Sequence, residues 1–182
     1  MHVRRTLGAL VAALAVVVSM AGCGSSSGDG SGDAVAFTDK ICGSFIPFLQ
    51  TASKPPNVSP SDPIAASKAL STYLGDAVTA VDKAITGLDG AGKSPVAGGD
   101  ELVSKTKTAL GQIRTAFGDA KATLDSAPNT KQAKASALSK AASTMSSLTK
   151  LPNPTADLAT NADLNTAAEK AANCQKMKTI VK

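Results

Sequence analysis

The chain has no tryptophan, one tyrosine, four phenylalanines and one histidine in 182 residues. Its core must therefore be assembled mainly from Ala, Leu, Val and Ile, small or well-ordered packers that suit closely spaced helices. The one histidine is His2, at the extreme N-terminus. A Ser-His-Asp or Cys-His relay needs an imidazole as proton carrier, and most zinc and copper sites use one as a ligand. Arginine is nearly as scarce, since Arg114 is the only one beyond Arg4 and Arg5. With lysine carrying the positive charge and no series of aromatics for base stacking, nucleic-acid binding is not expected. No Walker loop, Gly-rich dinucleotide turn or GxSxG elbow occurs. The acids are scattered, with only Asp100 and Glu101 adjacent, so nothing gathers a carboxylate pair for glycoside cleavage. Serine and threonine are abundant, yet none has an identifiable base beside it. The expectation is a protein that is not an enzyme and uses no cofactor or metal.

What is present begins at the N-terminus. Met1-His2-Val3-Arg4-Arg5 is followed by an apolar stretch from Leu7 to Val18 and then by Ser19-Met20-Ala21-Gly22-Cys23. A positive end, a short apolar helix and small residues before a scissile bond are the three parts of a secretory signal peptide. The apolar stretch is short for a span, which needs about 20 residues. Thr6-Leu7 after the two arginines lack the rest of a twin-arginine motif.

Met20-Ala21-Gly22-Cys23 resembles the lipobox of bacterial lipoproteins, with Met20 where leucine is commoner. The resemblance covers residues 1 to about 33. It implies cleavage between Gly22 and Cys23, a diacylglycerol on the Cys23 thiol, and a location on the extracytoplasmic face of the cell membrane. Gly24 to Asp33, GSSSGDGSGD, then reads as a flexible tether with a reach of roughly 17 Å. Asp29 to Asp33 lacks the full spacing and closing Glu of a calcium loop. The expected organisation is a signal peptide over 1–22, a lipidated tether over 23–33 and one helical domain over 34–182. Loss of the leader removes His2, Arg4 and Arg5, so the formal charge of +5 falls by two. Beyond the lipobox the chain loosely resembles small helical lipoproteins of high-GC Gram-positive bacteria, which brings no defined activity.

From Phe37 onward apolar residues recur every three or four positions, which predicts an all-α, Ala-rich, antiparallel bundle of four to five helices. A first helix, about Ala34 to Thr51, should kink or stop at Pro47. The next carries Leu70, Tyr73, Leu74, Ala77, Val81, Ala84, Ile85 and Leu88 inward, with Ser61 or Asp62 as its cap and Pro63 in its first turn. A third should run from Gly99 or Asp100 to Ala127, with Leu102, Val103, Thr106, Leu110, Ile113, Phe117, Ala120 and Leu124 inward, and Glu101 one turn before Lys105. A fourth, Thr130 to Leu151, would bury Leu138, Ala141, Ala142, Met145 and Leu148 before Pro152 and Pro154. A last helix covers Thr155 to Lys178. Gly87 to Gly99 reads as a flexible connection. Leu74 to Asp89 aligns with Leu110 to Asp125 at a spacing of 36, and Gly75 and Gly111 within them mark expected close approaches.

With Cys23 assigned to lipid, Cys42 and Cys174 remain, and outside the cytoplasm an even remainder predicts a disulfide. It would close the bundle by joining the first and last helices, carry Lys170, Lys176, Lys178 and Lys182 toward the membrane, and leave Gly87 to Gly99 facing outward. The expected function is a membrane-anchored binding or structural module for another envelope protein or the cell wall. The alternative is a carrier or sensor of an apolar ligand held between helices.

Overall fold

The computed structural model of the protein describes residues 30–59, 61–148 and 161–180. The expected signal peptide, Gly22, Cys23, most of the tether, the 149–160 segment and Lys182 lie outside these residues. Every described element is helical: α1 (Gly30–Ala52), α2 (Pro63–Gly90), α3 (Gly99–Ser126), α4 (Lys131–Ser147), α5 (Ala162–Lys170) and α6 (Ala172–Ile180).

The helix starts follow local chemistry. Asp62 Oδ1 accepts the Ala65 N–H at 3.1 Å with Pro63 in the first turn of α2, and Thr130 caps α4 by accepting from Ala133 at 3.3 Å. Gly98, at φ 76°, turns the chain into α3, where Asp100 and Glu101 meet the positive end of the helix. The expected Glu101–Lys105 pair forms at 3.1 Å.

α2 and α3 form the central antiparallel hairpin. Asp82 pairs with Arg114, Asp89 with Lys107, and Ser71 donates to Asp125. The residue numbers in each pair total 196, so one register holds from end to end, and positions 71, 82 and 89 lie on one stripe of α2. Between the helices the contact is small-sided: Ala77, Ala84 and Ala120 are fully covered beside Leu74, Val81, Leu88 and Leu124. The two segments aligned at a spacing of 36 occupy equivalent places, with Leu74 and Leu110, Val81 and Phe117, Ala84 and Ala120, and Leu88 and Leu124 all buried. α1 packs on α2, α4 covers α3 and α2, and α5 and α6 lie against α1.

Four expectations change. Pro47 does not end α1, which continues to Ala52. The helix loses one backbone bond there, at a cost near 3 kcal/mol. Burial of Ile46, Phe48 and Leu49 around it offsets that loss at about 1.5–3 kcal/mol per side chain. α1 also starts at Gly30, four residues inside the expected tether. In α4 it is Ala137, not Ala142, that joins Ala141 inside, and Ala142 is exposed. The last helix divides at Ala171, whose backbone is extended.

The close approaches also fall elsewhere than expected. A Cβ on Gly111 would meet nothing within 4 Å, and one on Gly75 would meet only the flexible Lys121 stem. On Gly87 it would sit 2.5 Å from Ser44 Cβ and 3.2 Å from Ser44 Cα, so this is where α1 and α2 touch backbone to backbone. Gly87→Ala is therefore expected to cost about 1–3 kcal/mol. Gly111→Ala, which only removes unfolded-state freedom and helix-breaking tendency, should gain about 0.5–1 kcal/mol. Thermal unfolding should move in opposite directions for the two variants; equal shifts would contradict the packing.

Tyr73 lies half-buried on α2, and burial pushes its phenol above the ordinary value of 10.0. The fold favours the neutral phenol. Stability should hold below about pH 10 and decline as pH rises from there toward the native value. As the only Tyr in a chain without Trp, it can be titrated alone by ultraviolet absorbance. The native midpoint should exceed that of the chain in denaturant.

Candidate functional site

Cys42 and Cys174 are joined, with Cα atoms 5.0 Å apart and 132 positions between them in sequence. The bond ties α6 to the middle of α1. A polar clamp surrounds it. Asp39 Oδ1 accepts the backbone N–H of Asn173 at 2.7 Å and Oδ2 accepts its amide Nδ2 at 2.8 Å, so a carboxylate on α1 caps the first turn of α6. The same Nδ2 reaches the Asp39 carbonyl at 3.3 Å and fills the space beside Gly43. Cys174 Sγ lies 3.6 Å from the Thr38 carbonyl, a packing contact, since a disulfide sulfur has no proton to donate. On the other side of the break, Gln175 Nε2 donates to the carbonyls of Ala168 and Glu169, closing the end of α5.

The connection between α2 and α3, Ala91 to Gly98, is fastened rather than loose. The Ser94 N–H donates to Asp100 Oδ1 at 2.7 Å, the Val96 N–H donates to Ser94 Oγ at 3.1 Å, and Ala91 is buried. Asn161, which caps α5 by accepting from the Leu164 N–H, donates its Nδ2 to the Ala97 carbonyl at 3.0 Å. Phe37 Cε1 lies 3.7 Å from where a Gly99 Cβ would stand. The connection therefore sits at the end of the bundle where α1 begins. Gly87 to Gly90 are the last turn of α2. The expectation that Gly87 to Gly99 faces away from the start of the domain is thus corrected.

At the opposite end, the first turns of α2, the last turn of α3 and the start of α4 enclose an open groove of about 360 Å³. Lys68, Ser71, Asp125, Asn129 and Lys134 line it. Lys121 and the Ser71 hydroxyl hold the Asp125 carboxyl below its ordinary value, with Lys121 the larger cause. Lys134 Nζ donates to the Leu124 carbonyl at 2.7 Å, which fixes its ammonium without neutralising it. A second open groove, between α3 and α4, is lined by Thr108, Gly111, Thr115 and Thr144.

Of the residues singled out from sequence, Cys42 and Cys174 come together. Lys170 and Lys176 are exposed and Lys178 is half-buried, on α5 and α6; Lys182, Gly22 and Cys23 lie outside the described residues. Asp39 and Asn173 had no sequence signal, being 134 positions apart. Among the described residues there is no group of three or more His, Cys, Asp or Glu able to hold a metal ion. Among the same residues no helix is long and apolar enough to cross a membrane. Comparison of the chain with protein-family models, curated proteins and solved structures finds no match.

The clamp should be measurable apart from the disulfide. Asp39→Ala, with the disulfide intact, leaves the Asn173 backbone N–H unmet and its Nδ2 with only the carbonyl of residue 39, and should cost about 1–2 kcal/mol. Replacing both Cys42 and Cys174 by Ser should cost more, up to about 5 kcal/mol from chain entropy for a loop of this length. Amide exchange in α6 should accelerate in both variants. Unchanged exchange in Asp39→Ala would show that the carboxylate does not cap the helix.

Proposed function

We propose that this protein is a cell-envelope lipoprotein, a helical bundle held at the extracytoplasmic face of the cell membrane by lipid on Cys23. In this reading it serves as a non-catalytic binding or structural module for an envelope protein or a cell-wall partner. The observation that carries it is the division of the three cysteines. Two are joined across the bundle, and the third stands in Met20-Ala21-Gly22-Cys23 behind a positive end and a short apolar stretch. Disulfides persist in oxidising compartments, which agrees with export. The tether-like Gly24 to Asp29 run fits attachment by a lipid close to the start of α1.

The test is metabolic labelling with a fatty-acid analogue. The wild-type chain should carry label and sediment with membranes. Cys23→Ala should abolish the label and either release the protein or leave the unprocessed precursor. Membrane association of the wild type with no lipid attached would overturn the reading.

A further inference from the structure

We infer that Cys42–Cys174 is an exchangeable disulfide, opened at Cys42 by a protein dithiol of the Cys-X-X-Cys class with Cys174 as the leaving thiolate, and that its opening loosens α6 on an otherwise intact bundle. The inference goes beyond the envelope-module reading and does not depend on the anchor. Three observations support it. The first is the asymmetry of the pair. Cys174 is 5% exposed, whereas Cys42 is partly exposed near the middle of α1. Exchange begins with a thiolate reaching one sulfur of the bond, and of the two residues Cys42 is the one it can approach. The second is the leaving side. Cys174 stands in the first turn of α6, where the backbone N–H groups of a helix start stabilise a thiolate. The Asp39 carboxylate caps the same turn and opposes negative charge there, so a further donor is needed.

The third observation is an orphaned hydroxyl. Thr38 Oγ1 is the one buried side-chain polar atom without a hydrogen-bond partner among the described residues. Buried hydroxyls are ordinarily partnered, and a redox role is one reason for an exception. Thr38 stands one helical turn before Cys42, and its carbonyl lies 3.6 Å from Cys174 Sγ. A bonded sulfur is a weak acceptor for the hydroxyl, whereas a thiolate is a strong one. The carbonyl, which only touches the sulfur in the oxidised chain, accepts from the Cys174 S–H once the thiolate is protonated. Both polar groups of Thr38 therefore gain partners in the reduced state.

The exchange balances in two steps. A thiolate of the dithiol bonds to Cys42 Sγ as the Cys42–Cys174 bond breaks, and Cys174 leaves with the electron pair. The second thiolate of the dithiol then attacks its own partner sulfur in the mixed disulfide and releases Cys42. The dithiol ends as a disulfide, oxidised by two electrons, and its two protons pass to Cys42 and Cys174. α5 and α6 pack on α1 and are too short to hold without tertiary support. Once the bond opens, the start of α6 is held by Asp39 and the Thr38 carbonyl alone, while the α2–α3 hairpin and α4 keep their own packing.

The experiment uses the full-length Cys23→Ala chain in neutral detergent, because its only cysteines are then the pair itself and the outcome is independent of the anchor. A Cys-X-X-Cys protein whose second cysteine is replaced by serine traps the mixed disulfide, which peptide mass spectrometry locates. Trapping at Cys42 is expected to exceed trapping at Cys174 by about tenfold. The intact dithiol should reduce the bond without denaturant, and amide exchange should then accelerate in α6 and stay unchanged in α2 and α3. Thr38→Val should slow reduction about threefold without lowering the unfolding temperature of the oxidised chain. With Cys42→Ser added, so that Cys174 is the sole thiol, Thr38→Val should also raise the pH at which thiolate absorbance appears. Trapping at Cys174, at both cysteines equally or at neither overturns the inference. So does reduction that requires denaturant, loss of protection throughout the bundle, or a Thr38→Val chain whose reduction and thiolate titration match those of its parent.

Discussion

The α2–α3 interface is the constraint from which the rest of the bundle is built, because every other described helix packs on this hairpin or on something that does. Its register is set by charge and its depth by side-chain size. Pairs 71–125, 82–114 and 89–107 run along one stripe, and a slip by one residue would break all three together. The two ion pairs, 82–114 and 89–107, are exposed and individually weak, worth about 0–1 kcal/mol each, and the 71–125 bond is a part-buried hydrogen bond. Their contribution is to choose among registers that Ala-rich faces would otherwise tolerate. The alanines then let the helices approach closely enough for Leu74, Val81, Leu88 and Leu124 to lose essentially all contact with water.

A core of small residues leaves little area for large side chains to bury, and the chain has few of them. The disulfide and its clamp compensate at the weakest place. α5 and α6 have nine residues each, too short to hold as helices without tertiary support. They are secured by a covalent bond, by Asp39 at the start of α6, by Gln175 over the end of α5 and by Asn161 against the α2–α3 connection. Because the bond sits in the middle of α1, it draws the C-terminal helices along the flank of the bundle. The two ends stay free of it, one beside the start of α1 and the other bearing the groove.

The groove end differs from its opposite in charge because α4 has three lysines and no acid, while the helix turns at the other end alternate both signs.

The sequence by itself determined the helical class, a cap for α2 at Ser61 or Asp62, the inward face of α2 and α3, the stop before Pro128 and the pairing of Cys42 with Cys174. These depend on periodicity, on local capping chemistry and on cysteine number, all readable within a few residues or by elimination. Only the tertiary structure decided that Pro47 would be carried through, that Gly87 rather than Gly75 or Gly111 would mark the close approach, and that the last helix would divide at Ala171. Nothing in the stretch from Asn161 to Ile180 contains a proline or glycine to signal that break. It arises because Asp39, 134 positions upstream of Asn173, offers α6 a cap that a continuous helix could not use. The groove was hidden for the same reason: Ser67, Lys68, Asn129 and Lys134 meet only after the hairpin register has brought the start of α2 beside the end of α3.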